Sequence, residues 1–301
     1  MTTLATPPQE SVGARTAPAA APRRRRRRAG RVTAAGPWTY LLLALTTLVS
    51  VFPLYWTMVA GSATNAEIAA TPPPFLPDAD LFTNIGRAME EAPIGLAIVN
   101  SVIVAGCITV GTVLCCTLAG FAFAKLRFPG QNLLFLVLLS TMMIPTQAIL
   151  VPQFRIVNSL GLIGTFWAVI IPNAAATFGI FLARQFMLAI PSELIEAARI
   201  DGAGTGRIFW SVVLPLSKPL LAVLTLLSLM YQWNDFLWPL IVLKVPELYT
   251  LTLGLQFLKG QYTTDYGALM AMSLISVAPL VILFLAFQRF FVQGLATTGI
   301  R

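Results

Sequence analysis

The chain holds no histidine, three cysteines and four lysines among 301 residues, and only 11% of its residues are charged. Without histidine the commonest general base and metal ligand is missing. Cys107, Cys115 and Cys116 fall in one apolar stretch with no carboxylate beside them, so their spacing gives neither a metal site nor a disulfide framework. None of the lysines (Lys125, Lys218, Lys244, Lys259) follows a glycine, which excludes a phosphate-binding loop of the Walker type. Any ATP used by a system containing this chain is bound by another subunit. The apolar runs also lack a cysteine dyad or paired carboxylates, so the chain reads as non-catalytic.

What the chain has is apolar. Hydrophobic residues make up 57% of it and the mean hydropathy is +0.79, whereas a soluble domain averages about 45–50% apolar and about 25% charged residues. That composition excludes an ordinary soluble domain and, equally, a disordered chain. Charge is placed unevenly: eight of the 20 Lys and Arg residues lie between Arg15 and Arg31, six of them in the run Arg23 to Arg28. The sequence pI near 9.9 therefore reflects a tail, and no nucleic-acid partner is expected. Residues 1–36 read as a disordered basic cytoplasmic tail drawn to anionic membrane lipid. The run Trp38 to Ala60 exceeds the about 7–15 apolar residues of a cleaved signal and matches the about 20 needed to span a bilayer.

Six apolar runs, near 38–60, 95–123, 131–153, 161–188, 217–243 and 266–291, predict an all-α integral membrane domain over residues 37–301 with six transmembrane helices. With the N-terminus inside, the cytoplasmic segments carry the tail arginines, Lys125, Arg127, Arg184, Arg199, Arg207, Lys218, Arg289 and Arg301, while the external segments carry only Arg87, Arg155, Lys244 and Lys259. The positive-inside rule then puts both termini in the cytoplasm of a bacterial-type cell membrane. One long connection, 61–93, is external, acidic and rich in proline. The other, 189–218, is cytoplasmic and has helical character.

In that second connection Ser192 can cap a short helix, Gly202 can take the left-handed conformation that ends it, and Thr205 can cap another closed by Pro215. So short an element needs a partner surface to be stable. Leu194, Ile195 and Ala198 are read as one apolar face with the small Ala197 beside them, and Glu196 and Asp201 as its acidic groups. Two readings stand at this point: a docking helix, or a surface helix tying two spans together with Glu196 paired to Arg199.

Glu196-Ala197-Ala198, Asp201-Gly202-Ala203, then Leu214-Pro215-Leu216 and Pro219 resemble the EAA loop of ABC-importer permeases. Asn100-Ser101, Ala122 to Gly130, Met143-Ile144-Pro145, Arg184-Gln185-Phe186, Trp233 to Pro239 and the ending Gln293-Gly294-Leu295 resemble the maltose-type carbohydrate branch, in particular the shorter subunit of a heterodimeric pair. The resemblance covers about residues 38–301. It implies the type I importer permease fold, a second permease, a cytoplasmic ATPase dimer that binds ATP and Mg, an external sugar-binding protein and no cofactor in this chain. It also implies that Glu196 makes the charged contact to the ATPase, that Ala197, Ala198 and Gly202 permit close seating and the turn, and that Leu214 and Pro215 fix the loop to the membrane core.

Polar side chains within spans are costly and point to a pathway. Gln147, Asn173, Asn234 and Asp235 are the candidates for lining it, and Pro145, Pro172 and Pro279 are expected to kink helices around a cavity. The other reading of the amides is hydrogen bonding between helices, and of Trp233 and Trp238, anchoring at the membrane interface. Competing functions are a permease of another importer branch and an ion-coupled secondary transporter; for the latter, Asp235 is the sole acidic candidate within a span.

Overall fold

A computed structural model describes residues 36–91, 93–256, 258–259 and 264–298, with Glu91 and residues 289–298 described by backbone alone. The expected basic tail lies outside the described residues but for Gly36. Regular structure among the described residues is entirely helical: α1 (Pro37–Gly61), α2 (Asn65–Ile68), α3 (Leu81–Glu91), α4 (Ile94–Lys125), α5 (Gln131–Thr141), α6 (Thr146–Ser159), α7 (Trp167–Asn173), α8 (Thr177–Leu188), α9 (Ser192–Ile200) and α10 (Thr205–Ile208). A π-helical turn (Phe209–Val213) follows, then α11 (Leu214–Leu216), α12 (Lys218–Trp233), α13 (Leu237–Val242), a 3-10 turn (Pro246–Leu248), α14 (Leu251–Gly254) and α15 (Tyr266–Thr298). The chain forms two units, Met1–Ser50 and Val51–Arg301. In the first, the described residues are the exposed apolar leading turns of α1.

Four stretches among the described residues are long and apolar enough to cross a membrane: Pro37–Gly61, Ile94–Lys125, Trp167–Leu188 and Tyr266–Gln288. Two bent pairs bring the number to six if each is one span: Gln131–Thr141 with Thr146–Ser159, bent by 104°, and Thr205–Leu216 with Lys218–Trp233, bent by 79°. The third apolar run thus breaks where Pro145 is expected to kink it. Pro145 lacks an N–H and pushes Ile144 out of the helical region, so α5 stops at Thr141 and α6 starts afresh. The fifth run is also interrupted, between Trp233 and Leu237, where Asn234 donates its amide back to the Met230 carbonyl (2.8 Å) and Asp235 accepts the Trp238 N–H (3.5 Å). Short polar side chains that bond their own backbone compete with helix continuation. Pro279, by contrast, sits inside a continuous α15.

The helix α4 is the axis of the second unit, and its tightest neighbour is α8. Their seam is built from small residues: a Cβ on Gly120 would fall 2.5 Å from the Ala183 Cβ, one on Gly179 2.7 Å from the Cys116 Sγ, and one on Gly111 3.2 Å from the Ala174 Cβ. Lipid chains are as apolar as leucine, so helices in a bilayer associate through close packing rather than water exclusion; this seam provides it. Cys116 is a packing residue here, fully buried, with its Sγ on the Ala176 carbonyl (3.4 Å).

At the start of α4, buried polar groups tie in the connecting segments. Asn84 of α3, 0% exposed, donates to the Gly61 and Ala63 carbonyls (2.9 and 3.1 Å). Asn100 donates to the Glu247 and Tyr249 carbonyls (2.8 and 3.0 Å), and Ser101 accepts the Leu251 N–H (2.7 Å). Beside them Arg87 donates to Asp265 (2.6 Å). Burial pushes the Asp265 carboxyl up, but the Ala268 N–H and the Arg87 guanidinium outweigh it and hold the group below the usual carboxylate range. Trp233 and Trp238 are not interface anchors. At 5% and 4% exposure they are interior struts, donating their indole N–H groups to the Ser276 and Ala168 carbonyls (3.0 and 2.9 Å).

Candidate functional site

The connection between α8 and α12 is folded throughout. The N-cap of α9 is Pro191, so Ser192 is its first helical residue and does not cap it. The C-terminus matches expectation: Gly202 has φ +79°, the Gly202 N–H reaches the Arg199 carbonyl (3.0 Å) and the Ala203 N–H the Ala198 carbonyl (2.9 Å), a complete Schellman cap. The apolar face divides differently from the reading by composition. Ile195, 4% exposed, and Ala198 pack with Ile190, Ile208 and Phe209 in the unit's own core. Leu194 and Ile200, 45% and 87% exposed, face outward together with Glu196, Ala197 and Asp201. Ala198 is therefore an inward anchor and not part of an outer seat, because the i, i+3 spacing from Ile195 puts both on the covered stripe.

Beyond Gly202 the N-cap of α10 is Gly204, with Thr205 already helical and capping nothing. Nor does Pro215 close the helix. The π turn ends ahead of it, with the Leu214 N–H on the Phe209 carbonyl, and Pro215 lies within α11, which runs one residue further to Leu216. Leu214 packs on the core cluster while Pro215 is exposed. Ser217, fully buried, donates to the Val213 carbonyl (2.8 Å) where the chain turns into α12. Trp210 projects from the π turn at 55% exposure.

One side chain ties this connection to the end of α4, and two more tie α8 and α5 there. Lys125 donates to the Ile190 carbonyl (2.6 Å), just ahead of α9. Arg184 of α8 and Gln131 of α5 both donate to the Phe123 carbonyl (3.2 and 2.8 Å), and the Arg184 guanidinium lies 4.2 Å from the centre of the Phe135 ring. Cations suit a helix C-terminus, whose last carbonyls are unpaired and partly negative. Between the end of α4 and α9 lies an open cleft of about 700 Å³ lined by Lys125, Arg127, Ser192, Glu196 and Arg199 among others.

A second feature lies where helices break. The α5–α6 break at Met142–Pro145, the α7–α8 break at Ala174–Ala176 and the last turns of α12 border a cavity of about 470 Å³, lined by Thr112, Thr146, Asn173, Ser228, Tyr231 and Gln232 with apolar Phe178, Leu224 and Leu227. Of the sequence candidates only Asn173 lines it. Gln147 is exposed in the first turn of α6 and bonds with Thr146 (3.3 Å). Asn234 and Asp235 line an adjoining recess that shares Tyr231 with the cavity.

Residues 116–297 match the family described as "Binding-protein-dependent transport system inner membrane component". The chain belongs to that family. The permease is 34% identical over 264 residues to the sn-glycerol-3-phosphate transport system permease protein of Yersinia pestis bv. Antiqua, an alignment covering 85% of this chain and 94% of that protein. It is 36% identical over 266 residues to the protein of the same description from Salmonella typhi, covering 86% and 95%. Its fold is similar to that of a chain in the crystal structure of a bacterial ABC transporter involved in the import of the acidic polysaccharide alginate, with a TM-score of 0.76, 23% identity, and 84% and 95% of the two chains covered. It is accordingly a multi-pass inner-membrane component of a binding-protein-dependent transport system, as the residue resemblance implies.

Sequence reasoning passed over Tyr231 and Gln232, two residues before the Asn234-Asp235 pair it chose. A signal was present: Leu224, Leu227, Ser228 and Tyr231 stand at i, i+3, i+4 and i+7, one face of a helix, and Gln232 extends that face. Lys125 and Arg184 lay in stretches noted for resemblance and Gln131 just past one of them, but their task of closing carbonyls depends on tertiary contacts.

Proposed function

We propose that this permease is one of the two permease subunits of an ATP-driven carbohydrate importer, crossing the membrane six times with both termini in the cytoplasm and residues 37–301 as its membrane domain. The connection 189–218 seats in a cytoplasmic ATPase dimer that binds ATP and Mg, and an external binding protein delivers the substrate. The observation that carries this reading is the two-sided character of α9. Ile195 and Ala198 are fixed in the core beside α8 and α12, while Leu194, Glu196, Ala197, Ile200 and Asp201 stand outward. A short helix capped at Gly202 and anchored on one side transmits displacement of whatever grips its other side. Relatives named for sn-glycerol-3-phosphate transport support a small polyhydroxylated substrate, and the Trp233 to Pro239 stretch favours the carbohydrate branch.

Reconstitution with the second permease, the ATPase and the binding protein tests the reading, with radiolabelled maltose as the first probe. In Gly202→Asp the side chain at a left-handed position costs about 1–2 kcal/mol, enough to displace the turn. ATP hydrolysis is expected to persist while uptake falls about ten-fold, the equivalent of that strain. Replacing Ala197 by a bulky residue is expected to weaken ATPase binding, because the seat is outward. Unchanged uptake and unchanged ATPase binding in both variants would sink the coupling role of α9.

A further inference from the structure

The cleft of about 700 Å³ between the end of α4 and α9 is unbalanced in charge: Lys125, Arg127 and Arg199 line it with one carboxylate, Glu196. Glu196 and Arg199 are not paired. The one ion pair among the described residues is Arg87–Asp265, and neither Arg127 nor Arg199 has a side-chain partner among those residues. Lys125 spends one N–H on the Ile190 carbonyl (2.6 Å) and feels a second carboxylate, Glu193, from the first turn of α9. Lys125 is also the last residue of a helix long and apolar enough to cross a membrane, so the cleft opens where the hydrocarbon of a bilayer ends. Along the same helix Val110, Leu114 and Leu118 are exposed. Lys125, seven residues after Leu118, returns to their face after about two turns, with Phe121 between them packed on the Phe209 ring (5.3 Å). That face of α4 is apolar along its length and cationic at its foot, which matches the two halves of an amphipathic ligand.

We infer that the cleft binds the phosphate headgroup of an anionic phospholipid in the leaflet at this end of α4. Arg127 and Arg199 donate to the phosphate oxygens, Lys125 adds its charge, and the acyl chains lie against the exposed face of α4. A guanidinium presents parallel N–H groups that match two phosphate oxygens, and basic pockets at the cytoplasmic ends of spans suit lipid headgroups of this charge. Free phosphate carries the same oxygens, but each contact at an open rim is weak. A lipid is confined to the membrane surface, and its high local concentration offsets that weakness. The cations come from two elements, Arg127 just past α4 and Arg199 in α9, so an occupied cleft bridges α4 to α9 beside the Lys125–Ile190 contact. The inference adds lipid control to the importer reading above and rests on it for the leaflet, the cytoplasmic one.

The test is lipid retention by the assembled transporter, with this chain at full length, read by native mass spectrometry from detergent. The probes are phosphatidylglycerol, phosphatidylcholine as the lipid without net charge, and inorganic phosphate as the soluble source of the same oxygens. Expected is retention of phosphatidylglycerol over phosphatidylcholine, undiminished by inorganic phosphate. Arg127→Gln and Arg199→Gln are each expected to weaken it about three-fold and together about ten-fold, as two contacts at an exposed rim. Arg127→Lys with Arg199→Lys is expected to keep most of it, and Glu196→Gln, which removes the carboxylate from the lining, to strengthen it. The tail arginines are the same in every variant, so lipid held by them does not change between variants. Equal retention of the two lipids, or retention unmoved by the double glutamine variant, overturns the inference. So does displacement by inorganic phosphate, which would make the cleft a site for a soluble anion. A double variant that loses the ATPase and keeps its lipid would overturn it too, by assigning the cations to the partner protein. A preparation that never holds an ATPase counts instead against the importer reading, and its lipid titration still decides the cleft.

Discussion

The two ends of α4 are tied to their neighbours by different chemistry. At its start the ties are neutral and buried: Asn100 and Ser101, both 3% exposed, hold backbone groups of the 3-10 turn and of α14, and on the neighbouring α3 Asn84, 0% exposed, holds the end of α1 in the same way. At its finish the ties are cationic and half-exposed, Lys125 on the Ile190 carbonyl and Arg184 on the Phe123 carbonyl. A neutral amide can be buried for good because no charge is desolvated, whereas a cation at a rim keeps part of its hydration and exchanges a carbonyl for water at low cost. The start of α4 is built as a fixed frame and its finish as a joint, and the joint is where α9 attaches.

The contrast can be broken most severely at Asn84. Asn84→Leu leaves the Gly61 and Ala63 carbonyls without their donor and is expected to cost about 2–4 kcal/mol, read as a lower Tm of the detergent-solubilised permease. A Tm within error of the parent protein would mean that the frame is not held there. At the joint, Lys125→Met is expected to cost only about 1 kcal/mol of stability yet to raise the ATP consumed per substrate carried several-fold, with Lys125→Arg restoring the ratio. If the methionine variant lost stability and kept its ratio, the joint would be a frame too. The smallest effect concerns the Arg87–Asp265 pair. Because the folded Asp265 pKa is depressed, its contribution is fully present above the unfolded value of about 4 and fades as pH falls through the folded value. Arg87 is 40% exposed and screened, so less than about 1 kcal/mol is at stake. Asp265→Asn should flatten that part of a Tm profile taken from pH 6 to pH 3, and an identical profile would remove the pair from the frame.

Composition made the helical class, the apolar stretches and the tail of charge legible, because hydropathy over about twenty residues is a local property. Gly202 was legible for the same reason: a glycine just past a short amphipathic stretch is a helix stop wherever it occurs. The direction of Ala198 was not, since a nine-residue helix has two plausible faces and only the cluster around Phe209 decides between them. The break at Ala174–Ala176 carries no strong breaker of its own and follows Pro172 by two residues, so it depends on how α7 and α8 dock against α4. Trp233 and Trp238 look alike as span-end aromatics, and their burial depends on carbonyls of α15 and α7 that are distant in sequence. The cavity was half legible through Asn173, while Gln232 was hidden behind the more conspicuous Asn234-Asp235 pair.

The placement of the indoles gives the molecule a built-in optical instrument. Trp210 stands in solvent on the π turn beside α9, whereas Trp233 and Trp238 are sealed inside. A protein gripping α9 would shift the emission of the first toward the blue and quench it, and a rearrangement at the α12–α13 break would alter the other two. With Trp38, Trp56 and Trp167 replaced by phenylalanine to quiet the other three indoles, attachment at one end and movement at the other could be followed in separate bands of one spectrum, without any attached dye.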